Sequence, residues 1–322
     1  TFFSTYLANR LLEAGRSVAV LDCDAGQPAI GPPGTMGFAV LRQPVVFLQD
    51  ISPRQLYFTG TYSPGTSFLE FGAGLARLFA GARSAAETVI VNTPGWVQGD
   101  GGRLLSRSEI DILSPDMLVL MQRADELRYM ERLFPPDNCE RLPAAELAAV
   151  RSQAERKSSR ERLEAEYFKD ARRVEFPFSA VATDRCYFLS GTKISRKQAN
   201  KTIGAHTILW AERLGSREGM LAISTRPLHY EDIRALGTAF DASRVKVTLA
   251  GDETHVEVAL NDGQNNVLAL GIIRRINYRA GSFDIFTPLP AAMIKRVKVV
   301  QFGFIRVAPD GREEGSIEPG YF

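Results

Sequence analysis

An amphipathic helix that leads into a short, fully apolar strand opens this chain, and this pairing constrains the fold most. Residues 1–15 carry apolar side chains at helical spacing, and Val18-Ala19-Val20-Leu21 then forms an uninterrupted apolar run. A strand without polar positions is typical of a sheet that helices cover on both faces. Two acids, Asp22 and Asp24, follow directly at the end of this strand.

The alternation of helix and strand continues to about residue 135. Apolar periodicity predicts helices over 1–15, 67–82 and 104–113, and strands over 17–21, 45–48, 55–59, 88–92 and 117–121. This rhythm predicts βαβ units and an α/β fold, with a mostly parallel sheet and helices on both faces. Ligands of such sheets bind at the carboxyl ends of the strands, so residues that follow the strands are the candidates for function.

In nucleotide-binding domains, a helix that feeds such a strand follows a phosphate-binding loop of the pattern G-x-x-x-x-G-K-[ST]. The sequence starts at Thr1, where this loop would just have ended. We therefore expect the 322 residues to lack the loop of a P-loop NTPase-type domain. A chain without that loop is expected to bind ATP poorly and to be inactive as written.

The residue pattern of the sequence changes twice after this region. The stretch 151–173 holds eight Lys and Arg against five Asp and Glu, which predicts a solvated, charged helix. From about residue 174, short alternating runs separated by turn residues predict a β-rich region, with one helix over 229–240. We expect two domains, 1–175 and 176–322, with the charged helical segment over about 143–175 in the first.

Composition excludes several classes of protein. The chain is 45% hydrophobic and 24% charged, as in an ordinary soluble globular protein, and its net charge of +2 requires any nucleic-acid site to be local. Its three cysteines are far apart, which argues against a disulfide framework or a zinc site and fits a reducing compartment such as the cytoplasm. No apolar run reaches the roughly 18 residues of a membrane span.

Asp22 and Asp24 share one side of their strand, because they are two residues apart. One acid can help to place Mg²⁺, directly or through water, and the other can accept a proton from an attacking hydroxyl. The alternative is a turn closed by side-chain hydrogen bonds, without chemistry. The apolar strand before them and the rigid loop over 31–35 after them favour a functional site.

A second buried strand ends in Thr93-Pro94-Gly95-Trp96. Many phosphate-loop enzymes carry an Mg²⁺-binding Asp at this strand tip. Thr93 is a weaker ligand, which shifts metal binding toward the two acids. Gly95 allows close approach of a ligand to the backbone, and Trp96 is placed to stack on a nucleobase. The alternative is a tryptophan that caps the core below it.

Arg156 and Arg160 lie on one face of the charged helix, where two guanidinium groups can clamp a phosphoryl group. Spacing alone favours the alternative, a salt-bridged surface helix whose glutamates pair with the arginines. The hydroxyl-rich turn 59–66 before a helix is equally open: it can bind phosphate at the helix start or serve only as a capped turn.

Taken in order, these motifs resemble the polynucleotide 5′-hydroxyl kinases, the group that includes the archaeal enzyme and the eukaryotic kinases of RNA 3′-end, tRNA and ribosomal-RNA processing. The match covers nearly the whole chain, in the segments 24–27, 33–35, 61–66, 92–97, 151–168, 270–272 and 303–306. The resemblance implies ATP-dependent, Mg²⁺-assisted phosphorylation of the 5′-hydroxyl of single-stranded RNA or DNA, which would be the chain's partner.

The resemblance also implies roles for single residues. Asp24 would be the base that activates the 5′-hydroxyl, and Arg156 and Arg160 would be lid arginines over the ATP phosphates, which reverses the conclusion from spacing. The implied contacts with the polynucleotide fall on Gln27, Thr35, Thr61, Thr93, Gly95 and Trp96. The implied contacts with ATP fall on Thr1, Gln122 and Arg123. With Asp24 as the base, Asp22 is the acid of the pair that is left to place Mg²⁺.

The sequence departs from the family pattern in two places. The glycines and lysine of the phosphate loop are absent, and Thr1 matches the second of two hydroxyl residues that follow that lysine. Lys157 stands where some members have another arginine, which keeps the charge but weakens bidentate contact. Two rival functions stay open: a catalytically silent, ATP-binding scaffold of an RNA-processing complex, and a switch-type ATPase or GTPase.

Overall fold

The computed structural model describes residues 1–146, 151–215, 219–318, 320 and 322. Its α-helices are α1 (Phe2–Glu13), α2 (Phe68–Ala85), α3 (Gly99–Leu113), α4 (Arg128–Glu131), α5 (Gln153–Phe168), α6 (Arg196–Thr202) and α7 (Tyr230–Ala239). None of the helices in these ranges is long and apolar enough to cross a lipid bilayer. The chain divides into two compact units, Thr1–Leu163 and Glu164–Phe322.

The strands fall into separate sheets of the two units. Those of the first unit are β1 (Val18–Asp22), β2 (Thr35–Leu41), β3 (Gln55–Phe58), β4 (Thr88–Asn92), β5 (Leu118–Gln122) and β6 (Cys139–Pro143). Those of the second unit are β7 (Arg172–Pro177), β8 (Ala182–Asp184), β9 (Thr192–Lys193), β10 (Ile208–Arg213), β11 (Met220–Ser224), β12 (Val245–Leu249), β13 (Val256–Asn261), β14 (Val267–Asn277), β15 (Ser282–Thr287), β16 (Val299–Val307) and β17 (Glu313–Ser316).

The main sheet of the first unit has the order β3-β2-β1-β4. Strands β1 and β4 are parallel, whereas the β1–β2 and β2–β3 pairs are antiparallel. The sheet is thus mixed, where the sequence predicts a mostly parallel one. A loop joins β1 to β2, so the chain turns back and the two strands are antiparallel. Parallel neighbours need a longer crossover, and the connection that leads to β4 includes α2. A further parallel pair, β5–β6, forms a sheet of its own.

Helices cover both faces of this sheet, as predicted for the α/β fold. Every residue of β1 is buried, and its side chains alternate between two apolar clusters. Ala19 and Leu21 pack with apolar residues of α2 and α3, whereas Val18 and Val20 pack on the other face with Ala8 of α1. The alternation fixes β1 at the centre of the unit, so that its carboxyl end emerges at one edge of the sheet.

Two local predictions differ from the structure. Strand β2 was not predicted, because the loop over 31–35 and Gly37 interrupt its apolar run. Gly37 is needed there, since a Cβ atom would lie 3.1 Å from the Ile30 carbonyl oxygen and closer still to the Leu56 side chain. The strand predicted over 45–48 is absent from the described structure. The Asn9 side chain instead donates to the Val45 carbonyl oxygen at 2.7 Å and accepts from the Val45 amide at 3.0 Å.

The second unit is rich in β structure, as predicted. A long sheet has the order β17-β16-β13-β14-β15-β7, with β8 beside β16, and a smaller sheet has the order β12-β11-β10-β9. Aromatic rings cluster within its largely aliphatic core: the Phe188 ring lies 5.5 Å from the Trp210 ring and 5.9 Å from the Phe283 ring, between centroids. Alternating runs over 245–249, 255–260, 267–278, 282–286 and 297–307 predict β12 to β16 within a few residues, whereas β7 to β11, β17 and α6 were not predicted.

Candidate active site at two strand tips

The carboxyl ends of β1 and β4 lie side by side, because the two strands are parallel and Asp22 stands opposite Asn92. The Cys23 amide donates to the Asn92 carbonyl oxygen at 2.9 Å, which continues the pairing past the last strand residue. The Asn92 side chain donates to Asp22 Oδ1 at 2.7 Å, and the Ser4 hydroxyl of α1 donates to Asn92 Oδ1 at 3.4 Å. The first turn of α1 and both strand tips therefore meet at one point.

Asp22 is enclosed by hydrogen-bond donors of the protein itself. Oδ1 accepts from Asn92 and, at 3.5 Å, from the Asp24 amide, while Oδ2 accepts from the amides of Ala29 and Ile30. Burial raises the pKa of Asp22 to about 6, although these hydrogen bonds oppose the shift. Because a carboxylate has about four acceptor positions, these contacts favour a structural role, and the predicted contact of Asp22 with Mg²⁺ stays a prediction that they do not support.

Asp24 is held differently. Its Oδ1 accepts from the amides of Gly26 at 3.1 Å and Gln27 at 3.0 Å. These two bonds close the turn through a side chain, as the alternative to a functional site predicts. Within the described residues, no hydrogen bond to its Oδ2 is present. Burial raises the pKa of Asp24, against the two amide hydrogen bonds and the positive charge of Arg156. The turn therefore fixes one carboxylate oxygen and leaves the other for a ligand.

Gln27 ties the charged helix to this turn. Its Nε2 donates to the Arg156 carbonyl oxygen at 3.0 Å, and its Oε1 accepts from Arg151 Nη1 at 3.2 Å. The Arg160 guanidinium lies 4.6 Å from the centre of the Tyr62 ring. The first turns of α5 thus lie against the turn after β1, with Arg156 in electrostatic contact with Asp24. Residues 147–150 of the predicted lid lie outside the described residues.

The turn after β4 is open to solvent. Thr93 and Gly95 are exposed, and a Cβ atom on Gly95 would meet no other atom within 4 Å. Trp96 is 38% exposed, yet its ring is partly packed, with the Phe68 ring centroid 6.0 Å away. Cβ atoms on Gly65 and on Gly101 would both collide with Trp96 Cη2. The indole is therefore seated against two glycines while a large part of it stays accessible.

Thr35 and Thr61 are buried, and their hydroxyl groups bond within the protein. The Thr35 hydroxyl donates to the Pro32 carbonyl oxygen at 2.7 Å. The Thr61 hydroxyl contacts that of Thr66 and accepts from the Ser63 amide at 3.3 Å. These contacts favour the interpretation as structured turns, and contacts of Thr35 and Thr61 with a polynucleotide stay predictions.

The residues predicted to contact ATP lie at separate places. Thr1 is exposed. Gln122 at the end of β5 is buried; its Oε1 accepts from the Leu127 amide at 3.0 Å, whereas its buried Nε2 has no hydrogen-bond partner in the described structure. Arg123 is exposed beside it. Thr1 precedes α1, whereas Gln122 and Arg123 stand at the end of β5.

Sequence reasoning missed the part played by Tyr62. Its ring lies under Arg160, and its carbonyl oxygen would be 2.5 Å from a Cβ atom on Gly26, which explains why glycine follows Asp24-Ala25. The only available signal was the position of Tyr62 inside the hydroxyl-rich turn 59–66. Among the described residues, no cluster of three or more His, Cys, Asp and Glu side chains that could hold a metal ion is present.

Comparison with known proteins identifies relatives over the whole chain. The family model described as the mRNA cleavage and polyadenylation factor CLP1 P-loop matches residues 1–170. A polyribonucleotide 5′-hydroxyl-kinase of Pyrococcus furiosus is 28% identical over 318 residues, which cover 99% of this chain and 87% of the relative. A polyribonucleotide 5′-hydroxyl-kinase of Methanocaldococcus jannaschii is 30% identical over 322 residues, which cover 99% of this chain and 86% of the relative.

A solved structure described as the extended interface between Pcf11p and Clp1p is similar in fold. It superimposes with a TM-score of 0.59 at 11% identity, over 94% of this chain and 70% of the other. At that identity the likeness concerns the fold alone.

Proposed function

Because the chain belongs to the CLP1 P-loop family, we propose that it is an ATP-dependent polynucleotide 5′-hydroxyl kinase. It would transfer the γ-phosphoryl group of ATP to the 5′-hydroxyl of single-stranded RNA, with single-stranded DNA as the second acceptor. Its similarity to kinases so named supports this activity. One observation carries the proposal: Gln27 is hydrogen-bonded both to Asp24 and to the Arg156 backbone, so that the Arg156 charge acts on Asp24 just after β1.

Asp24 is proposed as the general base. In the reaction, the proton of the 5′-hydroxyl passes to Asp24 Oδ2, the hydroxyl oxygen bonds to the γ-phosphorus, and the bond from that phosphorus to the β,γ-bridging oxygen breaks, which releases ADP. The amides of Gly26 and Gln27 hold Oδ1 and so orient the carboxylate. Its raised pKa makes the carboxylate a better proton acceptor at neutral pH than an ordinary aspartate.

Arg156 and Arg160 are proposed to stabilise negative charge on the transferred phosphoryl group. Phosphoryl transfer requires positioning and charge stabilisation more than covalent participation of the protein, and arginine supplies both. The Arg156 side chain is exposed beside Asp24, while its backbone is fixed by Gln27. Lys157 is ion-paired with Glu161 of the same helix, at 3.8 Å. Residues 143–175 would form the lid that carries these arginines.

The turn after β4 is proposed to hold the 5′ end of the strand. The exposed part of the Trp96 indole offers a surface on which a base can stack, whatever its identity. Thr93 and Gly95 offer backbone and hydroxyl groups to the same nucleotide, and the open space around Gly95 permits close approach. Gln27 would contact the same nucleotide, since it lies in the turn after β1, the strand next to β4.

Two observations bear on how ATP and Mg²⁺ fit. The buried, unpaired Nε2 of Gln122 fits an acceptor atom of a nucleobase, with Arg123 exposed next to it. Asp22, whose acceptor positions are filled by the protein, does not fit as a direct metal ligand. Bound Mg²⁺ would compensate the charge of the phosphates.

Label transfer tests the proposal. The protein expressed from its complete gene is incubated with γ-labelled ATP, Mg²⁺ and single-stranded RNA or DNA oligonucleotides that carry a 5′-hydroxyl. We expect label on the RNA, and the ratio of RNA to DNA label gives the acceptor preference. Oligonucleotides with a 5′-phosphate are the control and should remain unlabelled.

Each other outcome of this assay identifies a rival function. Bound ATP without label on either oligonucleotide would replace the kinase by the silent scaffold. Nucleotide hydrolysis that is unchanged when oligonucleotide is added would favour a switch-type ATPase or GTPase.

A further inference from the structure

An open pocket of about 640 Å³ begins where the turn after β4 ends. This is within the range of about 300–1,000 Å³ that is usual for binding sites. Two segments of the first unit form its walls: the residues that follow Trp96 into α3, and the loop that leads from β5 into α4. The lining residues are Val97, Gln98, Gly99, Arg103, Asp125, Glu126, Arg128, Tyr129 and Arg132.

Tyr129 holds the two walls together. Its hydroxyl group lies 3.0 Å from the Val97 carbonyl oxygen and 3.1 Å from Ser106 Oγ, so the second wall is anchored to the first. The Arg103 guanidinium lies 5.0 Å from the centre of the Tyr129 ring, which places a cation from α3 over the junction. The two walls are therefore joined by hydrogen bonds of Tyr129, and the Arg103 guanidinium lies over its ring.

Three arginines give the pocket its charge. Arg103, Arg128 and Arg132 are exposed, and no salt bridge of these three is present in the part of the chain that the structure describes. By contrast, the exposed Arg107, on the same helix as Arg103, is ion-paired with Asp111 at 3.1 Å.

The two acids of the pocket, Asp125 and Glu126, form no ion pair with these three arginines in the described part of the chain. The Glu126 carboxylate accepts from the amides of Arg123 at 2.8 Å and Ala124 at 2.9 Å. Asp125, on the same loop, is exposed and leaves the pocket with an excess of cations.

The pocket is continuous with the proposed base-stacking residue. Val97, Gln98 and Gly99 follow Trp96 directly in sequence. Gly101, on the first turn of α3, packs against the Trp96 indole, while Arg103 on the next residues of the same helix lines the pocket. A strand whose terminal base lies on Trp96 would reach this pocket with its next phosphates.

We propose that this pocket, here called the arginine groove, binds the sugar-phosphate backbone of the substrate strand on the 3′ side of the terminal nucleotide. Arg103, Arg128 and Arg132 contact phosphates, so the groove supplies affinity that depends on strand length and not on base sequence. This inference rests on the proposed function, because it assigns a further part of the same substrate to a separate set of residues.

Substrate length separates the groove from the reaction centre. The protein expressed from its complete gene is given a 5′-hydroxyl dinucleotide or a 12-nucleotide single strand, and KM and kcat are measured for each. In R128Q/R132Q we expect KM for the 12-mer to rise about 3- to 10-fold, while kcat/KM for the dinucleotide stays within about twofold of the parent. The control is R107Q, which changes an exposed, ion-paired arginine of α3 outside the pocket and should leave KM and kcat unchanged for both substrates.

Direct binding gives a readout that does not require catalysis. The affinity for a 12-mer with a 3′ fluorescent label and a 5′-hydroxyl is measured by anisotropy at several salt concentrations. Each lost phosphate contact should reduce the salt slope by about 0.7, the value for single strands. R103K, which keeps the charge over Tyr129, should bind more tightly than R103Q.

Two results would overturn the groove. One is an equal loss of activity on the dinucleotide and the 12-mer in R128Q/R132Q, and the other is 12-mer binding that is no weaker in that variant than in R107Q. Absence of any label transfer by the parent protein would instead reject the kinase, while the binding series would still decide whether the groove holds a strand.

Discussion

The turns after β1 and β4 start from the same register pair, Asp22 opposite Asn92, yet they are built in opposite ways. The turn after β1 is closed by hydrogen bonds from its own amides and is tied to α5 through Gln27. The turn after β4 is exposed, and its main packing contact is the Trp96 ring against two glycines and Phe68. The turn after β1 is held by several hydrogen bonds, whereas the turn after β4 exposes part of the indole to solvent.

This contrast fits the two tasks of a polynucleotide kinase. A general base acts only if its oxygen is held near one hydroxyl, since small displacements cost large factors in rate. A contact with strand ends of varied sequence must accept any base, and a stacking surface does so because every base has a π-face. We therefore expect changes in the first turn to lower kcat and changes in the second turn to raise KM.

The largest expected effect is that of D24N. Asparagine keeps an oxygen for the amides of Gly26 and Gln27, so the turn should survive, but it cannot take the proton. General bases contribute about 10²- to 10⁴-fold, and we expect kcat to fall in that range while ATP binding is retained. The measurements are label transfer and ATP binding on the same preparation. Turnover comparable to the parent would remove Asp24 as the base.

W96A should act on KM. Loss of a stacking surface costs about 1–3 kcal/mol per base in single-strand binders, which corresponds to about 5- to 150-fold in affinity. We expect KM for the oligonucleotide to rise by such a factor, while kcat at saturation changes little. W96F, which keeps an aromatic surface, is the control and should recover most of the affinity. A fall in kcat of the size seen in D24N would show that the two turns do not divide the work.

G101A tests whether the seat of the indole matters. A Cβ atom there would collide with Trp96 Cη2 and Cζ2, so the ring must move. We expect KM to rise several-fold without the full loss caused by W96A. The control is G72A on α2, where the added Cβ atom would lie 3.7 Å from Ile112 Cδ1, an ordinary contact. An unchanged KM in G101A would mean that the orientation of Trp96 is not decisive.

The contrast between the turns also shows how far sequence could go. Apolar periodicity located β1 and β4, the density of charged residues located α5, and strand ends pointed to Asp24, Gly95 and Trp96, because these signals are local. Sequence spacing could not divide the roles of Asp22 and Asp24, since it predicts that both acids share one side of the strand end, whereas in the structure β1 ends at Asp22 and Asp24 belongs to the turn that follows. That division is made by the loop after β1, which returns the amides of Ala29 and Ile30 to Asp22 and leaves Asp24 Oδ2 without them.

The same limit applies to the lid arginines and to the sheet. Spacing on α5 favoured a surface helix, because nothing in the helix itself shows that Gln27, more than a hundred residues earlier, binds its backbone. Strand β2 was missed since Gly37, required by the close approach of Leu56, lowers the β propensity of its own strand. The antiparallel return of β2 follows from the path of a loop, which local patterns do not encode.

The smallest expected effect is a shift in the pH profile, and it tests the tie between α5 and the first turn. Only the carboxylate form of Asp24 can accept a proton, so kcat/KM should fall as the pH decreases through the pKa of Asp24. Burial raises that pKa, which places the loss of activity at a higher pH than for an ordinary aspartate.

The positive charge of Arg156 opposes this rise. In R156Q the pKa of Asp24 should therefore rise further, and the acid limb of the profile should move to higher pH. R160Q removes an arginine that lies over Tyr62, and it should lower kcat without moving the acid limb. The kcat/KM profiles of the three proteins between pH 4 and 9 give the comparison. An acid limb that stays in place in R156Q would mean that either Asp24 is not the titrating base or Arg156 does not face it during turnover, and the division of work between the two turns would then rest on Trp96 alone.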